Sequence, residues 1–165
     1  MRTPPLKHGS LPWRIVHSLE KRRQRYFRTG HLVGRFGSKQ SVSRALGRLR
    51  DDGIIEQLDR GLYRVVPGKA PSLVFDRAWS NPGTEFPPDK LIAVTMGRPT
   101  FRDTIRLCHA YGVSRVHHVL AELKSSGDVD VKIADEWIHR LETIKQAFQN
   151  VAKRQVAAGH GRPAR

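Results

Sequence analysis

Residues Ser41–Val66 read SVSRALGRLRDDGIIEQLDRGLYRVV. In the first half, Val42, Ala45, Leu46 and Leu49 recur at i, i+3, i+4 and i+7, the spacing of one apolar stripe on a helix. Ser38 stands where an N-cap is needed, and Gly53 stands where a glycine closes a helix C-terminus. The second half changes period. Ile54–Leu58 and Leu62–Val66 read as strands, with Tyr63 favouring that state. Asp59-Arg60-Gly61 joins them, a hairpin-length loop ending in glycine, and Pro67-Gly68 ends the unit. A helix welded to a hairpin is therefore the centre of the fold.

Upstream, Leu11, Ile15, Val16 and Leu19 follow Ser10 at helical spacing, with Pro12 in the first turn, where its missing N–H is harmless. This first helix is expected to continue through EKRRQRYF to Phe27 and to stop at Thr29-Gly30. His31–Gly37 can form a second, short helix. Three helices and a hairpin over residues 10–68 describe a winged helix-turn-helix, preceded by a basic arm at 1–9. Downstream, residues 67–89 hold five prolines and two glycines, so 69–88 reads as a linker in which Leu73 to Phe75 and Trp79 could pack. Residues 89–151 turn helical again. Leu91, Ile92 and Met96 belong to a first helix there. Thr100 caps a second, with Phe101, Ile105, Leu107 and Cys108 expected inside. Val116, Val119, Leu120 and Leu123 follow Ser114, and a last helix over Asp130–Asn150 carries Ile133, Trp137, Ile138, Leu141, Ile144, Ala147 and Phe148, with Val151 just beyond. Its stripe is expected to pack within the chain or against a second copy. The basic tail at 152–165 is expected to be disordered. The fold class is α+β, mainly α, with a helical C-terminal unit.

Charge points to the ligand. The chain carries 30 Lys+Arg and 15 Asp+Glu, a net +15. Residues 1–70 hold 16 bases and 5 acids, a net +11, so the N-terminal half is where a polyanion is expected to bind. On the third helix, 100° per residue turns Gln40, Ser43, Arg44 and Gly47 away from the apolar stripe, with Lys39 and Arg48 beside them. Gln pairs with adenine and Arg with guanine through two hydrogen bonds in a major groove. Gly47 in mid-helix either admits a closely approaching backbone or avoids a clash with the first helix. Arg60 at the hairpin tip and Arg64 on the return strand are expected to meet phosphates, as are Lys21, Arg22, Arg23 and Arg25.

The stretch Ser38–Val66 also resembles the winged-helix domain of AbiEi-type antitoxins of type IV toxin–antitoxin systems and related small bacterial regulators. The residues that carry the likeness are Ala45-Leu46, Arg48-Leu49, Gly53 and Arg60-Gly61-Leu62-Tyr63. The resemblance implies binding of double-stranded DNA and, for many members, repression of their own operon and neutralisation of a nucleotidyltransferase toxin.

Other chemistry finds no support in the spacing. Cys108, His109, His117 and His118 lack the intervals of a structural zinc site. Asp128, Asp130, Asp135 and Glu136 read as a loop before a helix N-terminus, where acids are favoured. TGHLVGRFGSKQ has no phosphate-loop spacing, and no nucleophile elbow is present. No catalysis, cofactor or metal is expected. A single cysteine, and no apolar run of membrane-spanning length, suggest a cytoplasmic, soluble chain. Two alternatives to a DNA-binding regulator stand beside it. One is a protein-interaction module whose helical C-terminal half grips a partner such as a toxin. The other is an RNA-binding factor.

Overall fold

The computed structural model describes residues 6–74 and 86–159. It is mainly helical with one small three-stranded antiparallel sheet, an α+β fold. The elements are α1 (Leu11–Lys21), β1 (Tyr26–Arg28), α2 (Lys39–Asp51), β2 (Ile55–Asp59), β3 (Leu62–Val65), α3 (Pro88–Met96), α4 (Phe101–Tyr111), α5 (Val113–Ser126) and α6 (Val131–Gly159). Two compact units divide them. One comprises Arg2–Val66 together with Gln146–Arg165, and the other is chiefly Pro67–Lys145.

In the sheet unit, the Ser10 hydroxyl caps α1 by accepting from the Trp13 N–H at 3.4 Å, and the Ser38 hydroxyl caps α2 by accepting from the Ser41 N–H at 3.2 Å. α2 buries Val42, Ala45, Leu46 and Leu49, the stripe read from the sequence. Both helices end in the same way. After α2, the Gly53 N–H donates to the Arg50 carbonyl at 2.9 Å and the Ile54 N–H to the Leu49 carbonyl at 2.9 Å. After α1, the Arg23 N–H donates to the Glu20 carbonyl at 2.8 Å and the Gln24 N–H to the Leu19 carbonyl at 2.9 Å. This double closure needs a left-handed residue at its centre. Gly53 meets that need with φ 70°, and at the matching position Arg23 has φ 53°.

That closure corrects the expected first helix. α1 stops at Lys21, and Tyr26 and Phe27 lie in β1 instead. The sheet order is β1-β3-β2, with Phe27 opposite Tyr63 and Glu56 opposite Arg64. Pairing with β3 satisfies backbone groups that a longer helix would have satisfied internally. The short helix expected over His31–Gly37 is also absent. A single 3-10 turn covers Thr29–His31, and turns follow.

Strand alternation gives the sheet two apolar faces. Phe27 and Ile55 join Ile15, Val16, Leu19, Leu32 and the α2 stripe in one core, with Tyr63 and Val65 packed against it. Leu58 and Leu62 form the other face with Ala152 and Val156, flanked by Tyr26 and Phe148. The last turns of α6 therefore cover the second sheet face. Residues 152–159 are helical and carry buried side chains, contrary to the disorder expected of a basic tail, and residues 160–165 lie outside the described residues.

The helical unit is built from α3, α4, α5 and the first half of α6. Ile92, Met96, Leu107, Val116, Leu120 and Leu141 are completely buried, and Trp137 and Ile144 nearly so. The α6 stripe is thus covered within the chain. It runs through Ala134 rather than Ile133, which is exposed. α4 is rotated from expectation as well. Asp103, Thr104, Leu107 and Cys108 point inward, whereas Phe101 and Ile105 are exposed. On the inward face, the Asp103 carboxylate accepts from the Val74 N–H at 2.7 Å. Together with an Arg106 bond to the Ser72 carbonyl at 2.7 Å, this fastens part of the expected linker onto α4. Phe75 and Trp79 lie outside the described residues. On the surface, Arg115 grips Asp89 through two bonds of 2.6 and 2.9 Å. Those bonds lower the Asp89 pKa against the opposing effect of its partial burial.

Cys108 is buried with no exposed surface. A thiol reagent is therefore expected to label it only slowly under native conditions and rapidly in denaturant. Labelling at the free-thiol rate in the folded protein would contradict its placement.

Candidate nucleic-acid interface

α2 presents Lys39, Gln40, Ser43, Arg44 and Arg48 to solvent on the sides not taken by its apolar stripe. Its sequence contains no acid before Asp51, and its first turn contains none. The positive end of the helix dipole lies at the same end as Lys39, so backbone and side chains favour an anion together. Arg50 is engaged by its neighbour Asp51 at 3.2 Å.

Gly47 lies on this surface in mid-helix. A Cβ added there would meet nothing within 4 Å. The reading that Gly47 relieves a clash with the first helix is therefore wrong. Nothing inside the molecule requires a glycine, and a glycine in mid-helix costs stability. Gly47→Ala is expected to stabilise the fold by about 0.5–1 kcal/mol, measured by denaturant unfolding. A destabilised variant would show that the helix needs glycine for itself.

The hairpin loop follows. The Asp59 carboxylate accepts from the Arg60 N–H at 2.7 Å and pairs with Lys153 at 3.1 Å. The backbone donor first, and then Lys153, hold the Asp59 pKa below its ordinary value. Its negative charge is thus answered locally, and exposed Arg60 keeps a cationic tip. The Thr29 N–H donates to the Gly61 carbonyl at 3.0 Å, which ties the tip to the end of β1. Arg28, paired in register with Leu62, is exposed there too. It closes the basic run EKRRQRYFR, which was expected to supply phosphate contacts, although the expected helix hid its place on a strand.

Arg64 does not belong to this surface. Its side chain is 3% exposed and donates from Nε to Glu56 at 2.7 Å, with the guanidinium 4.3 Å from the centre of the Phe148 ring. The expected phosphate contact is corrected to a structural one. Period-2 alternation puts Arg64 on the same face as Leu62, and α6 covers that face. Lys21, Arg22, Arg23 and Arg25 are all exposed, at the end of α1 and in the turn leading to β1.

Among the described residues no group of three or more His, Cys, Asp and Glu could hold a metal, and no helix is long and apolar enough to cross a membrane. No protein-family model, curated protein or solved structure matches the chain.

Proposed function

We propose that this protein binds double-stranded DNA as a winged helix-turn-helix, with α2 in the major groove and the β2–β3 hairpin as the wing on the phosphate backbone. The observation that carries the reading is the solvent-facing surface of α2, free of acids from Lys39 to Arg50 and followed within one compact unit by a hairpin whose exposed tip is Arg60. The sheet order, with the strand before α2 pairing to the second hairpin strand, suits the same reading. Arg44 and Gln40 are the base readers. Arg60, Arg28, Lys21, Arg22, Arg23 and Arg25 are phosphate contacts, and Gly47 lets the duplex approach α2 closely. The resemblance to AbiEi-type antitoxins extends this to a cytoplasmic bacterial autorepressor with a nucleotidyltransferase toxin as partner. A gene for such an enzyme beside this one is the simplest check of that extension.

The DNA reading is tested on a duplex selected from a random pool. Arg44→Ala is expected to cost about 1–3 kcal/mol on the selected duplex and to relax preference at one position. Arg60→Ala is expected to weaken selected and scrambled duplexes alike and to reduce the salt slope by about one unit. Gly47→Ala, although more stable, is expected to bind less tightly. If Arg44→Ala and Arg60→Ala both leave duplex affinity unchanged, the reading fails. Tighter binding to single-stranded RNA than to any duplex would replace it with an RNA function.

A further inference from the structure

We propose that the sheet unit contains a site for a compact phosphorylated ligand of the nucleoside di- or triphosphate class. A cavity of about 410 Å³ opens where α1 gives way to β1. Arg22, Arg23, Arg25, Arg35 and His31 line it, and among the described residues no Asp or Glu does. That volume falls within the roughly 300–1,000 Å³ of small-molecule sites and far exceeds the needs of one phosphate group. Several arginines lining one concavity favour an anion there, and guanidinium is the side chain whose geometry best matches phosphate. Leu19, Leu32 and Val156 supply apolar wall, and the half-buried Tyr26 adds an aromatic ring. A cationic and apolar lining in one cavity suits a ligand with phosphates at one end and a flat organic group at the other.

Two features of the backbone and side chains agree with a built site. Arg23 has φ 53° in a helix closure where α2 uses Gly53. A non-glycine residue there is strained, and strain of this kind persists where the side chain is needed. Arg35 is held at the cavity by its bond from Nη2 to the Ser18 hydroxyl at 3.0 Å, so one guanidinium is oriented before any ligand arrives. The cavity shares Arg22, Arg23 and Arg25 with the proposed duplex contacts but includes neither Arg44 nor Arg60, so variants at those two residues tell the two readings apart.

The test is calorimetric titration of the full chain with ATP, ADP, pyrophosphate, orthophosphate, adenosine and a short duplex at one salt concentration. ATP, ADP and pyrophosphate are expected to bind, orthophosphate more weakly and adenosine not measurably. Arg22→Ala and Arg35→Ala are each expected to weaken ATP binding by about tenfold or more. Arg23→Gly is expected to raise the melting temperature yet weaken ATP binding, a combination that a merely structural arginine would not produce. Arg44→Ala is expected to leave ATP binding intact. The proposal is overturned if no di- or triphosphate binds at millimolar concentration, or if Arg22→Ala and Arg35→Ala leave ATP affinity unchanged. It is equally overturned if Arg44→Ala weakens ATP binding as much as they do, which would reveal general surface charge. Loss of duplex affinity in the cavity variants without any nucleotide binding would assign these arginines to the DNA backbone alone.

Discussion

Replacing Arg64 with Met or Glu56 with Ala is expected to destabilise the protein by about 3–5 kcal/mol, because each change removes the opposite charge from beside a buried one. The two residues are directly opposite in the β2–β3 register, and their side chains are 3% and 5% exposed with a 2.7 Å bond between them. Water cannot take over the role of the missing group at that depth, and Phe148 faces the guanidinium from α6. A pair of apolar substitutions, Glu56→Leu with Arg64→Met, is expected to recover most of the loss, since the charged pair itself contributes little beyond what apolar packing would. Denaturant unfolding of the two single variants and the double variant measures both statements. Single variants costing less than about 1 kcal/mol would mean that the pair is hydrated as a surface pair is. The double variant also separates fold from function: Arg64 is not a phosphate contact, so duplex affinity is expected to survive the double change.

The second large effect concerns the end of α6. Ala152 is completely buried against Leu58 and Leu62, with Val156 one turn further on. Ala152→Asp is expected to cost about 3 kcal/mol or more, because a carboxylate would be forced onto an apolar sheet face or the helix end would have to detach and expose it. Thermal unfolding measures the loss. Val151→Asp is the control: Val151 is the neighbouring residue but 41% exposed, so its cost is expected to be small. Equal tolerance of both changes would show that residues 152–159 do not cover the sheet.

The helix–hairpin core was legible because every signal for it is local. Val42, Ala45, Leu46 and Leu49 follow the helical period, Ser38 and Gly53 supply the cap and stop, and Asp59-Arg60-Gly61 makes the turn. Exposure of Lys39, Gln40, Ser43 and Arg44 follows from the same stripe, since whatever opposes a buried face meets water. The buried stripe of α6 was legible in part, at Trp137, Leu141 and Ile144, for the same reason.

What the sequence could not decide depends on residues far apart in the chain. Tyr26 and Phe27 fit a helix as well as a strand, and only pairing with Tyr63 and Arg64, nearly forty residues later, selects the strand. The left-handed turn at Arg23 has no local sign, because the usual sign is a glycine. The composition of Lys153, Arg154 and the residues around them resembles a solvated tail, yet Ala152 and Val156 are buried because the hairpin offers a second apolar face. That same face turns Arg64 from a candidate phosphate contact into a buried partner of Glu56, and tertiary folding gathers Arg35 with Arg22, Arg23 and Arg25 around one cavity. Period, caps and turns are properties of neighbouring residues and can be read along the chain. Which apolar face is covered, and which charge is thereby removed from water, is settled only when distant segments compete to bury the same surface.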